Sequence, residues 1–443
     1  MRIKRTRAGR AALASLTATV LALTAAGCGD GGTGSGDEGS GTGEITFWDN
    51  NGGVRTAVWK EIIADFEKAN PDIDVTYVPV PITDVQAKYD TAIAGGGLPD
   101  VGGVGTAYLA NMVAQDALEP VTQRIEDGSL KGKLSQNMLD SVASAGGRGE
   151  ELYSVPTSGN QGTLWYRTDL FEAAGLEAPR TWDDFYGGAE ELTDAGNNKF
   201  GFTIRGGAGS VAQALDMMYA QSGIDTFWKD GKTTVNDPAN VEALERYVGL
   251  YKDVTPSADL NNDFAKMVAQ FGQGNIGMLL HNLGSYTDHV KAFGKDSIDG
   301  FPLPPAEAGG PRTIVSQPVD GLGLFKSSDN KAAAWKFIEF AASHEMNSRW
   351  NEAAGSIPAN TEAASDAWIN DAPPIKAAME SVNDPDTKVV QLPYYLPDWN
   401  NISKADIEPD FQKLLLGDIT AQEFADKLAG LLNDAQTEWE EQR

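Results

Sequence analysis

The chain has 443 residues, 41% hydrophobic and 22% charged, with 49 Gly, 21 Pro and a single Cys. At this length that apolar fraction buries one large core or two ordinary ones, which excludes collagen-like, disulfide-framework and wholly disordered readings. Lys plus Arg number 35 against 63 Asp plus Glu, a formal charge of −28; such a surface repels phosphate backbones, and one thiol makes neither an intramolecular disulfide nor a multi-thiolate metal site.

Arg2, Lys4, Arg5, Arg7 and Arg10 form a basic start, and an apolar run of Ala, Leu, Val, Ser and Thr follows from Ala11 to Ala26. The run is shorter than the roughly 20 residues of a spanning helix and ends in small residues, as a secretory signal does. The segment Leu23-Thr24-Ala25-Ala26-Gly27-Cys28 resembles a bacterial lipobox, with Ala25 where Leu is commoner. The resemblance implies residues 1–27 as signal peptide and Cys28 as a lipidated mature N-terminus. Residues 29–43 are Gly, Ser, Thr, Asp and Glu, too polar to pack, so 28–43 is expected to be the lipidated Cys and a flexible tether. The body would then work at the bacterial cell surface, on the outer face of the cytoplasmic membrane, touching membrane through the lipid alone.

Beyond the tether, Glu44-Ile45-Thr46-Phe47-Trp48 alternates as a half-buried strand does and stops at Asp49-Asn50-Asn51-Gly52-Gly53. Val58, Ile62, Ile63 and Phe66 predict a helix ended by Asn70-Pro71, and Ile73, Val75 and Tyr77 a second strand. Another helix leads to Gly95-Gly96-Gly97-Leu98-Pro99-Asp100-Val101, a turn feeding a buried strand. This alternation predicts an α/β lobe with a largely parallel sheet. Strands are predicted at 152–156 and 163–166 around a polar loop, 157–162, and a helix from Asp169 to Ala174 ends at Gly175. Thr181, followed by Asp183 and Asp184, caps the next helix. A strand at 200–204, a helix at 211–219, and strands at 276–280 and 322–325 follow, then a helix at 332–342. The tail closes with Phe411 to Leu416, stopped by Gly417, and with a helix that Thr420 caps in partnership with Glu423. No fixed-period repeat is present.

Catalytic motifs are scarce. Gly231-Lys232-Thr233 ends like a phosphate loop but lacks the glycine five residues earlier, where Thr226 stands. Gly207 to Ala212 follows a dinucleotide-loop pattern, yet it lies deep in an exported chain and reads as a strand-to-helix loop whose amides face a cleft. No G-x-S-x-G elbow occurs, and His281, His289 and His344 lack paired metal spacing. His281 falls in a cleft loop, and the other two read as solvated helix residues. Asp259 to Asp263 gestures at a calcium loop, but Phe264 replaces the required Gly. No metal and no cofactor is expected. A glycoside hydrolase stays open, because paired carboxylates carry no sequence signature.

Certain side chains cluster after strand ends, where ligands of open α/β sheets sit. They are Trp48, Asp49, Asn50 and Asn51 after the first strand, Thr106 and Tyr108 after Asp100, and Asn160 and Gln161 in the central loop. Later come His281, Asn282 and Tyr286, then Tyr394, Tyr395 and Trp399. Sugars present C–H faces that pack on rings and hydroxyls that need donors and acceptors in fixed geometry. Trp165, Trp182, Trp335 and Trp350, set in apolar periodic surroundings, read as core instead.

From Glu44 onward the sequence resembles the family 1 extracellular solute-binding proteins of carbohydrate ABC importers. The resemblance rests on Tyr153-Ser154-Val155-Pro156, Leu164-Trp165-Tyr166-Arg167-Thr168-Asp169, Ala174-Gly175-Leu176 and Pro179 to Asp184, with weaker echoes at Asn70-Pro71-Asp72, Leu98-Pro99-Asp100 and Gly355 to Pro358. Arg167 stands where the family usually has Asn. The resemblance implies an α/β, two-lobed periplasmic-binding-protein-like fold (type II), hinged, with the ligand cleft between lobes. It places 44–157 and 300–355 in lobe one and 158–299 and 356–443 in lobe two. It adds the turn at Arg205 and Gly206 to the ligand-facing segments, together with the loop after Trp48, Asn160 and Tyr286, and makes Trp399 a sugar-stacking ring. It implies a monomer without catalytic residues that captures a mono- or oligosaccharide and passes it to ABC permease subunits in the membrane, with no nucleic-acid partner.

Overall fold

The protein is described from a computed structural model covering residues 38–50, 52–53, 55–82 and 84–442. Cys28, the signal segment and Asn51 lie outside the described residues.

The chain enters through a docked segment. The Glu38 carboxylate pairs with Arg124 at 2.6 Å, the Ala332 amide donates to Glu38 O (2.9 Å), and Lys336 and Asn330 donate to the carbonyls of Gly41 (2.9 Å) and Thr42 (2.7 Å). The expected flexible tether therefore does not extend to residue 43: donors on the flanking helix hold residues 38–42 by their backbone carbonyls.

Strands β1 (Gly43–Asp49), β2 (Ile73–Pro79), β3 (Val101–Gly103) and β4 (Val155–Gly159) belong to one sheet, whereas β5 (Gly162–Tyr166) and β6 (Phe200–Thr203) belong to another. After a short hairpin, β7 (Trp228–Lys229) and β8 (Lys232–Thr233), the second sheet continues with β9 (Ile276–Asn282) and β10 (Asp299–Pro302). Strand β11 (Thr313–Val315) pairs with the late β14 (Lys388–Val390), while β12 (Asp320–Leu324) and β13 (Ile357–Pro358) return to the first sheet. The orders are β13-β4-β12-β3-β1-β2 and β10-β5-β9-β6.

Only part of the first sheet is parallel. β1 runs with β2 and β3, joined by the crossover helices α1 (Thr56–Ala69) and α2 (Val85–Gly95), but β12 and β13 enter antiparallel after the excursion through the second sheet. The expected polar loop at 157–162 is mostly strand as well. Thr157 to Gly159 stay paired in the first sheet and Gly162 opens β5, so Asn160 and Gln161 alone make the passage. The strand carrying Gly300 pairs with β5, which moves the return passage to the stretch between Pro302 and Asp320. Ile357 and Pro358 pair with β4, so the last passage lies beyond them.

Two aromatic cores fix these sheets. Phe47 on β1 is fully buried and meets Trp59 (ring centroids 4.8 Å apart) and Phe337 (5.2 Å), and Trp59 lies 4.7 Å from Trp350. In the second sheet Leu164 and Tyr166 pack on one face, with Phe185, Phe202 and Met278. Trp165, pointing the other way, stacks on Tyr286 and meets the His289 edge at 5.0 Å. His289 is thus 1% exposed rather than a solvated helix residue, and burial pulls its pKa down to about 3. The caps at Thr181 and Thr420 form complete capping boxes with Asp184 and Glu423.

Candidate ligand-binding cleft

The first wall is built on the carboxyl ends of β1 and β3 and the amino end of the antiparallel β12. Asp49 ends β1, 1% exposed, and takes a hydrogen bond from the Tyr77 hydroxyl (2.7 Å). Trp48 packs on Tyr89, with the Lys88 ammonium 3.9 Å above its ring. Asn50 lies against Gly103 so closely that a Cβ there would sit 2.2 Å from Asn50 Oδ1. Helix α3 (Thr106–Ala114) starts at Thr106, whose Oγ1 accepts from Val319 N–H (3.1 Å) while its own N–H donates to Val319 O (2.9 Å). Tyr108, two residues on, is buried near Asp320, and burial raises its hydroxyl pKa to about 12.

The second wall gathers behind β6 and β9. Asp259 is fully buried and accepts from Thr203 Oγ1 (2.9 Å), Ile204 N–H (2.8 Å), Asn262 Nδ2 (2.9 Å) and Gln270 Nε2 (2.7 Å). Burial still raises its pKa to about 6. The stretch that gestured at a calcium loop is therefore a clamp on the end of β6. It fixes the next turn: Gly206 N–H donates to Asp259 O (3.0 Å), and a Cβ on Gly206 would fall 2.6 Å from that oxygen. Arg205 is held at its backbone by Gln213 Oε1 (2.9 Å), and its Nε–H donates to Ala208 O (2.7 Å). The guanidinium lies over Gly209, at φ +83°, where any Cβ would meet it at 2.5 Å.

His281, at the end of β9, stacks on Phe264 (4.5 Å), with Nδ1 3.2 Å from Ser285 Oγ. Burial, then the Arg205 charge, holds its pKa well below the ordinary value, so the ring is neutral. Asn282 turns inward and takes a hydrogen bond from Gly284 N–H (3.1 Å), capping the next turn. Gln161 is 4% exposed and its carbonyl accepts from Leu283 N–H (3.2 Å), while Asn160 Oδ1 is buried without a partner among the described residues.

The walls meet through Arg55, which precedes α1 and donates to Gly284 O on the second wall and Ala354 O on the first, both at 3.4 Å. Lys404 reaches back from the second wall to lie 5.7 Å from the Tyr108 ring centroid.

The sequence profile of the bacterial extracellular solute-binding proteins matches residues 18–348. The chain belongs to that family. A putative binding protein of Brucella abortus is 26% identical over 366 residues, 81% of this chain and 85% of its own. The mannitol-binding protein of Pseudomonas aeruginosa is 26% identical over 349 residues, 74% of this chain and 77% of its own. Among solved structures, an ABC substrate-binding protein of Listeria monocytogenes in complex with cycloalternan superposes with a TM-score of 0.74 at 27% identity, covering 89% of this chain and 99% of its own. A maltose-bound binding protein of T. maritima gives 0.75 at 25% identity, covering 88% and 99%. The fold is thus the two-lobed one of the maltose-binding proteins.

Within this solute-binding protein several expected cleft rings lie elsewhere. Trp399 is 6% exposed and packs edge-on against Phe227 (6.1 Å) and Tyr394 (6.0 Å), in the core of the second lobe. Its polar sequence neighbours misled, because burial here is set by contacts distant in sequence. Tyr395 packs on Trp439 at 4.5 Å and donates to Gln436 Oε1 (2.6 Å), tying down the last helix. Tyr286 is sandwiched between Trp165 and Gly355. In their place stand charges that sequence reasoning missed: Arg55, Asp320 and Lys404. Burial raises the Asp320 pKa, with Arg55 opposing and Asp49 adding to the rise. Burial, then the Arg205 charge, lowers Lys404 to about 8. No spacing rule points to single charges from distant segments; only the fold collects them.

Proposed function

We propose that this protein is the non-catalytic capture component of an ABC importer, binding a sugar between its lobes and handing it to a membrane permease. The supporting observation is the meeting of two walls on separate sheets, bridged by Arg55 and joined by thin passages such as Asn160-Gln161. Such a frame opens and closes about the passages, and closure is favoured by contacts that a ligand makes only with both walls. Mannitol, maltose and cycloalternan on the relatives' side support a polyhydroxylated solute.

Lobe one then comprises β1 to β4 with β12 and β13, and lobe two β5 to β10 with the C-terminal helices. The lipobox-like Cys28 would anchor a monomer to the outer face of the cytoplasmic membrane. Among the described residues no helix is long and apolar enough to cross a membrane. The test is intrinsic Trp fluorescence and melting temperature against a panel of mono- and oligosaccharides, with chromatography for products. Saturable binding with a raised melting point and unchanged sugar supports the reading. Turnover of an oligosaccharide would replace it with the glycoside hydrolase.

A further inference from the structure

Three cations stand in this cleft in a protein whose formal charge is −28. Among the described residues neither Arg205 nor Lys404 forms an ion pair, although Arg124, Arg167, Arg349, Lys413 and Lys427 all do. Arg205 spends only Nε–H, on Ala208 O, and both terminal nitrogens keep their donors. Lys404 has no hydrogen-bond acceptor among the described residues and faces the Tyr108 ring across the gap.

Two acids act on Arg205 without pairing with it: Asp263, which caps the helix Phe264–Phe271 and pairs with Lys266 at 3.3 Å, and Glu408, which opens the helix Glu408–Leu416. Asp49 and Asp320 belong to the opposite wall, with Arg55 beside them. The Arg205 charge acts against the Lys404 ammonium, and an incoming anion offsets that repulsion.

We infer that the solute of this cleft is a polyhydroxylated anion, its carboxylate or phosphate seated between Arg205 and Lys404 and its hydroxyls turned to Asp320 and Asn160. This rests on the cleft being a solute site. A guanidinium fork and an ammonium are the donor set that grips such a group. The facing Asp320 carboxylate and the unpartnered Asn160 Oδ1 accept from hydroxyls. Of the rings expected at a neutral-oligosaccharide site, Trp399, Tyr395 and Tyr286 are packed against other rings, which leaves Trp48 and Tyr108 on the first wall.

The experiment is titration calorimetry of the purified protein with matched pairs: gluconate against sorbitol, galacturonate against galactose, and glycerol 3-phosphate against glycerol, with maltose as a neutral oligosaccharide. The anion of one pair should bind at least about tenfold tighter than its neutral mate, a difference of about 1.4 kcal/mol. The preference should shrink in about 0.5 M NaCl, where charges are screened within a few ångströms. Lys404→Gln, and separately Arg205→Gln, should abolish it. Which pair responds names carboxylate or phosphate. Equal binding of the neutral mates, preference for maltose, or a ratio unchanged in both variants overturns the anion inference and leaves solute capture standing. No saturable heat with any probe overturns both.

Discussion

On the first wall of the cleft, Asp49 is bonded by Tyr77, Thr106 is bonded twice to Val319, and Asn50 fills the space that Gly103 leaves. On the second wall the inner groups are equally committed, Asp259 by four donors and Gln213 by Arg205 and Tyr247, but the terminal nitrogens of Arg205 and the Lys404 ammonium have no acceptor among the described residues. The contrast teaches how to read polar groups in a cleft. A buried polar group whose partners are internal holds the wall in shape; one whose partners are missing is available to a ligand.

The comparison can be broken hardest at Trp165, which supports the second wall from behind. Trp165→Ala removes a fully buried ring stacked on Tyr286 and His289 and should cost about 3–5 kcal/mol, read as a large loss of melting temperature. Next is Gly206→Ala, where the new Cβ meets Asp259 O at 2.6 Å and must push the Arg205 turn outward. About 1–3 kcal/mol of stability is expected to go, and ligand affinity with it.

Asp216 sharpens the comparison at the passage between the lobes. It accepts from Gln317 Nε2 (3.0 Å), and burial raises its pKa to about 8. An acid whose folded pKa exceeds its unfolded value of about 3.9 is favoured in the fold while protonated. Its contribution is therefore full below pH 4 and declines as pH rises to 8. Asp216→Asn, which keeps the acceptor for Gln317, should flatten stability over that window and gain at least about 1 kcal/mol at pH 8, measured by urea unfolding across pH. Trp399→Phe should lower the melting temperature, because the ring packs edge-on against Phe227 and Tyr394 in the core of the second lobe. The smallest effect is at Thr420→Ala, which opens a capping box and should cost about 1 kcal/mol by thermal melting.

Much of the frame was legible in sequence because it is local. Alternation placed β1, β2 and β6, Thr-x-x-acid placed both capping boxes, and Gly175 and Gly417 mark helix ends in the left-handed conformation. What failed was non-local. The polar run 157–162 reads as a loop, yet three of its residues pair with strands more than a hundred residues away. Asp49 and His281 were found because they stand at strand ends and Arg205 through the family resemblance, whereas Arg55, Asp320 and Lys404 lie in segments without a signature. Trp399, beside Pro397 and Asp398, looked exposed because sequence neighbours do not report burial.

The most direct test of capture between two lobes is small-angle X-ray scattering of the purified protein with and without the solute selected by calorimetry. The account predicts a smaller radius of gyration at saturation, with Arg55→Ala weakening affinity because its bridge from α1 to Gly284 joins the walls. Saturable binding that leaves both the scattering profile and the Arg55→Ala affinity unchanged would contradict it.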